Sequence, residues 1–282
     1  MNYKNNVNFS NIKKGVIYYF SGTGNTLWIV NKYLELFSKE KIDIDLVDIS
    51  KTNTVGSQSK YDFLCFAYPT YACNPPAFIK AFVNKFPKVN NKPCFLISTA
   101  AKIHWDVLGL SARILRKKGY NIIATFKYYM PHNISFMFGI HVSKDVKINS
   151  ILDKADKKIK SDFINLINRQ AKPNFSSFAI LSSIVSWFFN NFIIKSNVNH
   201  WTIDKDKCVL CGLCENICPN NNITIKHKKK KVIFGKNCLF CGRCYNFCPQ
   251  NAIYSKSNKA KKDYGRYIKF KDLLCKDNTF KK

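Results

Sequence analysis

The sequence predicts two modules: an α/β domain built on a five-stranded parallel sheet, followed by a smaller module organised by cysteines. The first prediction comes from short apolar runs that alternate with helical patterns between residues 13 and 170. The second comes from the cysteines, because eight of the twelve fall between Cys208 and Cys248. Apolar residues make up 46% of the 282, which is enough to bury a core and excludes a mostly disordered chain.

The strands are predicted from β-branched and aromatic runs. The first run, GVIYYFS, carries no charge, so we expect both of its faces to be buried. The second, IDIDLVDI, alternates apolar and polar residues and is expected nearer a sheet edge. The five predicted strands cover residues 15–21, 42–49, 61–68, 92–99 and 121–127.

Helical patterns lie between most of these runs, and this alternation implies a parallel, doubly wound sheet. One helix follows the first strand directly. Pro75 and Pro76 begin the next, because proline is tolerated in a first turn. Gly119 ends a third. The three later helices are predicted over residues 75–86, 106–118 and 147–169.

The turn between the first strand and the first helix carries a phosphate-binding pattern, Ser21-Gly22-Thr23-Gly24-Asn25-Thr26. Phosphate binds at this point of an open α/β sheet. The glycines let backbone N–H groups form a nest, and the helix N-terminus adds partial positive charge. The loop has no lysine and no GxGxxG spacing, which excludes the ATPase loop and the dinucleotide motif. A polar turn that only caps the helix is the alternative interpretation.

This loop resembles that of flavodoxins, whose S/T-x-T-G-x-T pattern grips the phosphate of FMN. The resemblance implies that FMN binds here and that the loops after strands three and four hold its ring. The predicted ring-binding residues are Tyr68, Pro69, Thr70, Tyr71, Thr99, Ala100 and Ala101. Tyr68, Tyr71 and Trp105 are candidates for stacking on the flavin, against the alternative that they pack locally.

No catalytic residue is assigned. His104, His132 and Asn133 are the candidate polar groups near a flavin, and ordinary surface histidines are the alternative. Cys65 and Cys94 fall within predicted strands, so we expect them to be inert core residues.

The second half contains one cysteine pattern twice. Cys208-x2-Cys211-x2-Cys214-x3-Cys218-Pro219 recurs 30 residues later as Cys238-x2-Cys241-x2-Cys244-x3-Cys248-Pro249. A zinc site on paired CxxC units is the alternative, but such sites do not use four cysteines ending in Cys-Pro. The pattern favours iron–sulfur ligation.

The repeat resembles the bacterial two-cluster ferredoxins, in which the fourth cysteine of each run ligates the other cluster. The resemblance implies two 4Fe–4S clusters. One is assigned to Cys208, Cys211, Cys214 and Cys248, and the other to Cys238, Cys241, Cys244 and Cys218. We expect Gly212 and Gly242 to let backbone N–H groups approach the cluster sulfur.

Taken whole, the chain resembles the flavodoxin–ferredoxin fusion proteins of anaerobic bacteria. The resemblance implies a flavodoxin-like domain over residues 13–170 and an apolar linker helix over 171–198. It further implies a small α+β ferredoxin domain over 199–256 and a basic tail over 257–282.

Residues 175–194 have no charge, and their length suits a membrane span. Serine and asparagine interrupt the segment, and both flanks are basic. For this segment we rank a helix that docks between the two domains first, a helix on the membrane surface second and a true membrane span last. The N-terminus has no apolar run of signal-peptide length, so we expect a cytoplasmic protein. Membrane association through residues 175–194 is the alternative.

The formal charge is +29. Eight thiolates, two oxidised clusters and one FMN phosphate would reduce it to about +23. We therefore expect acidic redox partner proteins, or peripheral contact with an anionic membrane surface, and no nucleic acid. The predicted function is electron transfer between the clusters and FMN. The alternatives are an FMN-dependent reductase of a small molecule and, more weakly, a basic nucleic-acid-binding protein.

Overall fold

The computed structural model describes residues 7–52, 54–71, 74–133, 145–175, 184, 187, 201–256 and 266–276. Most of the predicted linker helix (171–198) and most of the basic tail (257–282) therefore lie outside the described residues. The chain forms two compact units. The first comprises Met1–Ser21, Asn25–Pro131 and Val146–Trp187, and the second comprises Gly22–Gly24, His132–Asp145 and Phe188–Lys282.

The first unit contains a five-stranded sheet in which every pairing is parallel. Its strand order, β2-β1-β3-β4-β5, is the flavodoxin-like order, which confirms the predicted fold class. The strands are β1 Lys14–Tyr19, β2 Asp43–Asp48, β3 Phe63–Pro69, β4 Lys92–Ala100 and β5 Tyr120–Tyr129. The helices of this unit are α1 Asn25–Lys39, α2 Ala77–Asn84, α3 Val107–Lys117 and α4 Asp145–Ile167.

Burial follows the sequence patterns. The uncharged residues of β1 are buried, whereas most of β2, an edge strand, is only half-buried. An aromatic cluster forms the core beneath α1 and α4: the ring of Phe37 lies 5.3 Å from that of Phe63 and 5.0 Å from that of Phe163. Hydrophobic packing of helices on the sheet thus holds the end of β1 and the start of α1 in place.

The predicted boundaries differ from the observed ones by one or two residues in either direction; α2, predicted to begin at Pro75, begins at Ala77. β5 ends at Tyr129 rather than at residue 127, because its pairing with β4 continues to Ala100 opposite Tyr129. α4 begins at Asp145 rather than at residue 147. α3 ends before Gly119, as predicted, and the φ of 87° at this residue explains the choice of glycine.

The described part of the second unit is built from two small antiparallel sheets. β6 (Trp201–Ile203) pairs with β9 (Ile253–Ser255), and β7 (Ile223–Lys226) pairs with β8 (Lys231–Phe234). Three short helices accompany them: α5 Leu213–Asn216, α6 Arg243–Phe247 and α7 Lys271–Lys276. This is the small α+β domain that the sequence predicts.

Within the described ranges, no helix combines the length and the apolar character that crossing a membrane requires.

Candidate functional site

Two cavities in the second unit are lined by the repeated cysteines. The lining of the first includes Cys208, Cys211, Cys214 and Cys248. The lining of the second includes Cys218, Cys238, Cys241 and Cys244. We call these cluster site 1 and cluster site 2. Each joins three cysteines of one run to the fourth of the other, which is the grouping expected from the resemblance to two-cluster ferredoxins; ligation itself stays a prediction.

The backbone bends around each site in the same way. Gly212 and Gly242 have φ of 81° and 70°, the left-handed conformation that glycine adopts easily. Leu210 and Phe240, two residues earlier, are also left-handed, each with φ of 52°. The left-handed conformation of the two glycines can be predicted from the sequence, but that of Leu210 and Phe240 cannot. The one sequence signal for Leu210 and Phe240 is that they occupy equivalent positions of the repeat.

Backbone N–H groups donate to cysteine sulfur at equivalent positions of the two runs. The Asn222 amide lies 3.2 Å from Cys218 Sγ, and the Ala252 amide lies 3.3 Å from Cys248 Sγ. Such donors favour thiolate sulfur and fit a site that binds an anionic cluster.

Most of the cysteines at the two sites are half-buried, Cys241 is buried and Cys211 is exposed. Burial raises the pKa of Cys214 and of Cys241 to about 12, and neighbouring cysteines add to the rise at both. Four apolar side chains of this unit are also buried, and solvent exposure is one of the factors that set the potential of a cluster: Ile217, Ile223, Phe247 and Ile253.

No three histidine, cysteine, aspartate or glutamate side chains among the described residues converge on a single ion. A 4Fe–4S cube does not require such convergence, because each of its irons takes one thiolate.

The phosphate-loop residues lie where the sequence predicts: Ser21–Gly24 connect β1 to α1, and Asn25 and Thr26 begin α1. The side chains of Ser21, Thr23, Asn25 and Thr26 are buried, and Gly24 has φ of 100°. A left-handed glycine at a helix N-terminus is the conformation from which a nest of N–H donors is built.

Three polar side chains of this loop have hydrogen-bond partners within the protein. Thr26 Oγ1 lies 2.8 Å from Thr99 Oγ1, and the Asn25 amide donates to Pro131 O at 2.9 Å. Thr23 Oγ1 accepts a hydrogen bond from Asn133. Accepting does not use the hydroxyl's own hydrogen, so Thr23 keeps a donor. A hydroxyl donor next to a left-handed glycine suits an anion, and Phe270 packs against that glycine in this structure.

The predicted ring contacts have mixed outcomes. Tyr68 is not placed to stack on a flavin, because its ring is fully buried and its hydroxyl donates to Ser111 Oγ at 2.8 Å. The ring of Tyr68 therefore packs in the core against α3, as the local-packing alternative predicts. Tyr71, by contrast, is only partly buried in the loop after Pro69, and its backbone pairs with Asn74.

The residues that follow β3 and β5 hydrogen-bond to the carboxyl end of β4. The Thr70 amide donates to Thr99 O at 2.8 Å, and the Met130 amide donates to Ala100 O at 2.9 Å. Ala101 follows as an exposed residue, and Trp105 has φ of 42°.

His104 is not a surface histidine. Its side chain is buried, with Nδ1 3.2 Å from Ser98 Oγ, and Ser98 in turn lies 2.9 Å from Thr70 Oγ1. Burial, helped by the charge of Lys127, lowers the pKa of His104 to about 4, although the Tyr128 backbone opposes this shift. A neutral histidine is thus the last member of a hydrogen-bonded row of side chains at the carboxyl ends of β3 and β4. Sequence reasoning did not predict the burial of His104, because this residue lies in no periodic pattern.

Cys65 and Cys94 are fully buried, and burial raises the pKa of both thiols, which confirms their prediction as inert core residues.

Comparison with known proteins identifies the second half. Residues 207–253 match the family model of the 4Fe–4S dicluster domain. The chain therefore joins a flavodoxin-like fold to a 4Fe–4S dicluster domain. No curated protein matches it.

Solved structures that resemble the chain include flavodoxin 1 of Bacillus cereus, at 14% identity and a TM-score of 0.39, covering 52% of this chain and 98% of that one. Megasphaera elsdenii flavodoxin has 20% identity and a TM-score of 0.37, covering 40% and 84%. The NAD(P)H:quinone oxidoreductase of Methanothermobacter marburgensis has 11% identity and a TM-score of 0.35, covering 52% and 94%. The fold assignment rests on the strand order and not on these scores.

Proposed function

We propose that this chain is an iron–sulfur flavoprotein for intracellular electron transfer, which passes electrons between two 4Fe–4S clusters and FMN. One observation carries the proposal: eight cysteines line two cavities, four to each, within the stretch that matches the dicluster family. Cysteine thiolates in this number and spacing hold iron–sulfur cubes. The clusters supply one-electron chemistry, and the flavin accepts one or two electrons.

FMN is proposed on the flavodoxin-like strand order and on the loop between β1 and α1. In this fold the flavin binds at the switch point between β1 and β3. Thr23 would donate to the phosphate, as would Thr26 when the Thr99 hydroxyl donates to it, and the left-handed Gly24 would bring backbone N–H groups toward it. The loops that contain Thr70, Tyr71, Thr99, Ala100 and Ala101 would flank the ring.

The FMN assignment is tested by replacing Thr23 and Thr26 together with valine. Valine keeps the side-chain shape but removes both hydroxyl donors, and a hydrogen bond to a charged group contributes about 1.5–3 kcal/mol. We expect FMN to bind at least about 100-fold more weakly, as measured by fluorescence titration of deflavinated protein, while iron content stays at the wild-type value.

Thr224→Val, at an exposed position of β7, is the matched control and should retain FMN. Wild-type FMN affinity in the double variant would show that the loop only caps α1.

Acidic redox proteins are the proposed partners, because residues 201–282 carry 19 basic and 6 acidic residues and therefore remain positive after cluster thiolates are counted. Exposed lysines lie at the turn between β7 and β8, where residues 228–231 are all lysine. Peripheral contact with anionic lipid through residues 175–194 remains a prediction of the sequence.

A second candidate function, reduction of a small molecule at the flavin, is favoured by the row Thr70–Ser98–His104. A two-electron reduction of an azo dye to the hydrazo compound also consumes two protons, and a buried histidine linked to the ring-binding loop could relay one of them. We expect His104→Gln to slow methyl red reduction by about 100-fold while electron exchange with methyl viologen is unchanged. Equal effects on the two reactions, or none, would leave electron transfer as the function.

A further inference from the structure

The indole of Trp201 donates a hydrogen bond to a cysteine of cluster site 2. Trp201 Nε1 lies 3.3 Å from Cys238 Sγ, and the tryptophan is 2% exposed. Its ring packs 5.7 Å from that of Tyr245, and its backbone pairs with Ser255 across β6 and β9. Packing and strand pairing therefore fix the direction of the indole N–H.

The internal repeat provides a comparison for this contact. The two cysteine runs are 30 residues apart, so Ser255, which pairs with Trp201, corresponds to Ile225, and Ile225 pairs with Val232 of β8. Val232 lines cluster site 1, as Trp201 lines cluster site 2, and its side chain has no hydrogen-bond donor. The indole donor thus belongs to cluster site 2 and has no aromatic counterpart at the equivalent position near cluster site 1.

At two further positions of the repeat, the residue near cluster site 2 is more favourable to negative charge than its equivalent in the other run. Arg243 is buried beside cluster site 2, and its charge favours the thiolate of Cys241. Its equivalent is Leu213. Tyr245, also in α6, corresponds to Glu215, whose carboxylate accepts a hydrogen bond from the Ile225 amide.

Donors and positive charge at sulfur stabilise the reduced, more negative state of a cluster and so raise its reduction potential. A carboxylate does the opposite. We propose that Trp201 tunes cluster site 2 alone, raising its potential and making the two sites inequivalent. This inference rests on the proposed function, since it requires that both sites hold clusters.

The test is an anaerobic potentiometric titration of the holoprotein with dithionite, followed by EPR. Trp201→Phe keeps an aromatic ring against Tyr245 and removes only the N–H donor. We expect one of the two midpoint potentials to fall while the other stays at the wild-type value. Lys231→Gln, at an exposed position of β8, is the control and should change neither.

A variant with full iron content and two unchanged potentials would overturn the inference, as would an equal shift of both. Absence of iron from the wild-type protein would instead overturn the proposed function, so the two failures are distinguishable.

A second measurement avoids the substitution. Incorporating 5-fluorotryptophan makes the indole N–H a stronger donor, and Trp201 is the tryptophan that contacts a repeated cysteine among the described residues. We expect the same potential to rise in the labelled protein. If both potentials stay at their unlabelled values, Trp201 does not tune the site, whether or not the phenylalanine variant folds.

Discussion

Single residues in this protein show where sequence patterns are informative and where they are not. The cysteines are predictable because ligand spacing is local, and all eight line the two cavities as grouped. Tyr68 and His104 are not predictable, because each depends on which side of a loop or strand the side chain faces. Tyr68 turns into the core, and His104 is buried against Ser98.

The burial of His104 predicts a pH dependence of stability. Its pKa of about 4 lies below the ordinary histidine value of 6.5, so the unfolded state binds a proton more readily than the folded state. The stability that the neutral histidine contributes is therefore present above pH 6.5 and is lost as the pH falls toward 4. Between about pH 7.5 and 5.5 we expect the wild type to lose about 1.4 kcal/mol of unfolding free energy more than His104→Gln.

Urea unfolding followed by circular dichroism at both pH values measures this difference, and comparing the two proteins cancels acid effects that they share. Parallel losses would mean that His104 titrates normally in the folded protein.

At the scale of elements, the periodic patterns locate every strand and helix of the parallel sheet, and errors are confined to their ends. β5 extends past its prediction because pairing with β4 continues, which is a tertiary effect invisible to a local pattern. In the second unit the repeat predicts two equivalent halves, but the left-handed Leu210 and Phe240 are dictated by the path of the chain around each cavity and not by their own side chains.

Helix α4 offers a matched test of how the sheet's core is stabilised. Phe163 is buried, with its ring 6.1 Å from that of Tyr33 and 5.0 Å from that of Phe37, whereas the adjacent Ile164 is 56% exposed. We expect Phe163→Ala to cost about 3–5 kcal/mol through lost burial and a cavity.

Ile164→Ala should change the unfolding free energy by no more than about 0.5 kcal/mol, as measured by urea unfolding of the holoprotein. Similar costs for the two variants would contradict the packing described for α4.

At the scale of the whole molecule, the charge acquires a different meaning once cofactors are counted. A formal charge of +29 falls to about +23 with clusters and FMN bound. The remaining positive charge produces an electrostatic field that attracts anions over roughly 10 Å at 0.1 M salt. It explains the preference proposed for acidic redox partners without invoking nucleic acid.

This field predicts opposite salt effects for two small redox mediators. Electron exchange with the anionic anthraquinone-2,6-disulfonate should slow as salt rises, because screening weakens attraction, whereas exchange with the cationic methyl viologen should quicken. Stopped-flow rates from about 10 to 300 mM salt measure both slopes. Slopes of the same sign would mean that the net charge does not steer the encounter.

The proposed function requires that one chain hold two 4Fe–4S clusters and one FMN. This is tested most directly by quantifying iron, zinc and flavin in anaerobically purified protein, with EPR after dithionite reduction. We expect about eight iron atoms and one FMN per chain, with the EPR signals of reduced 4Fe–4S clusters. Colourless protein that contains zinc and no iron would contradict the proposal.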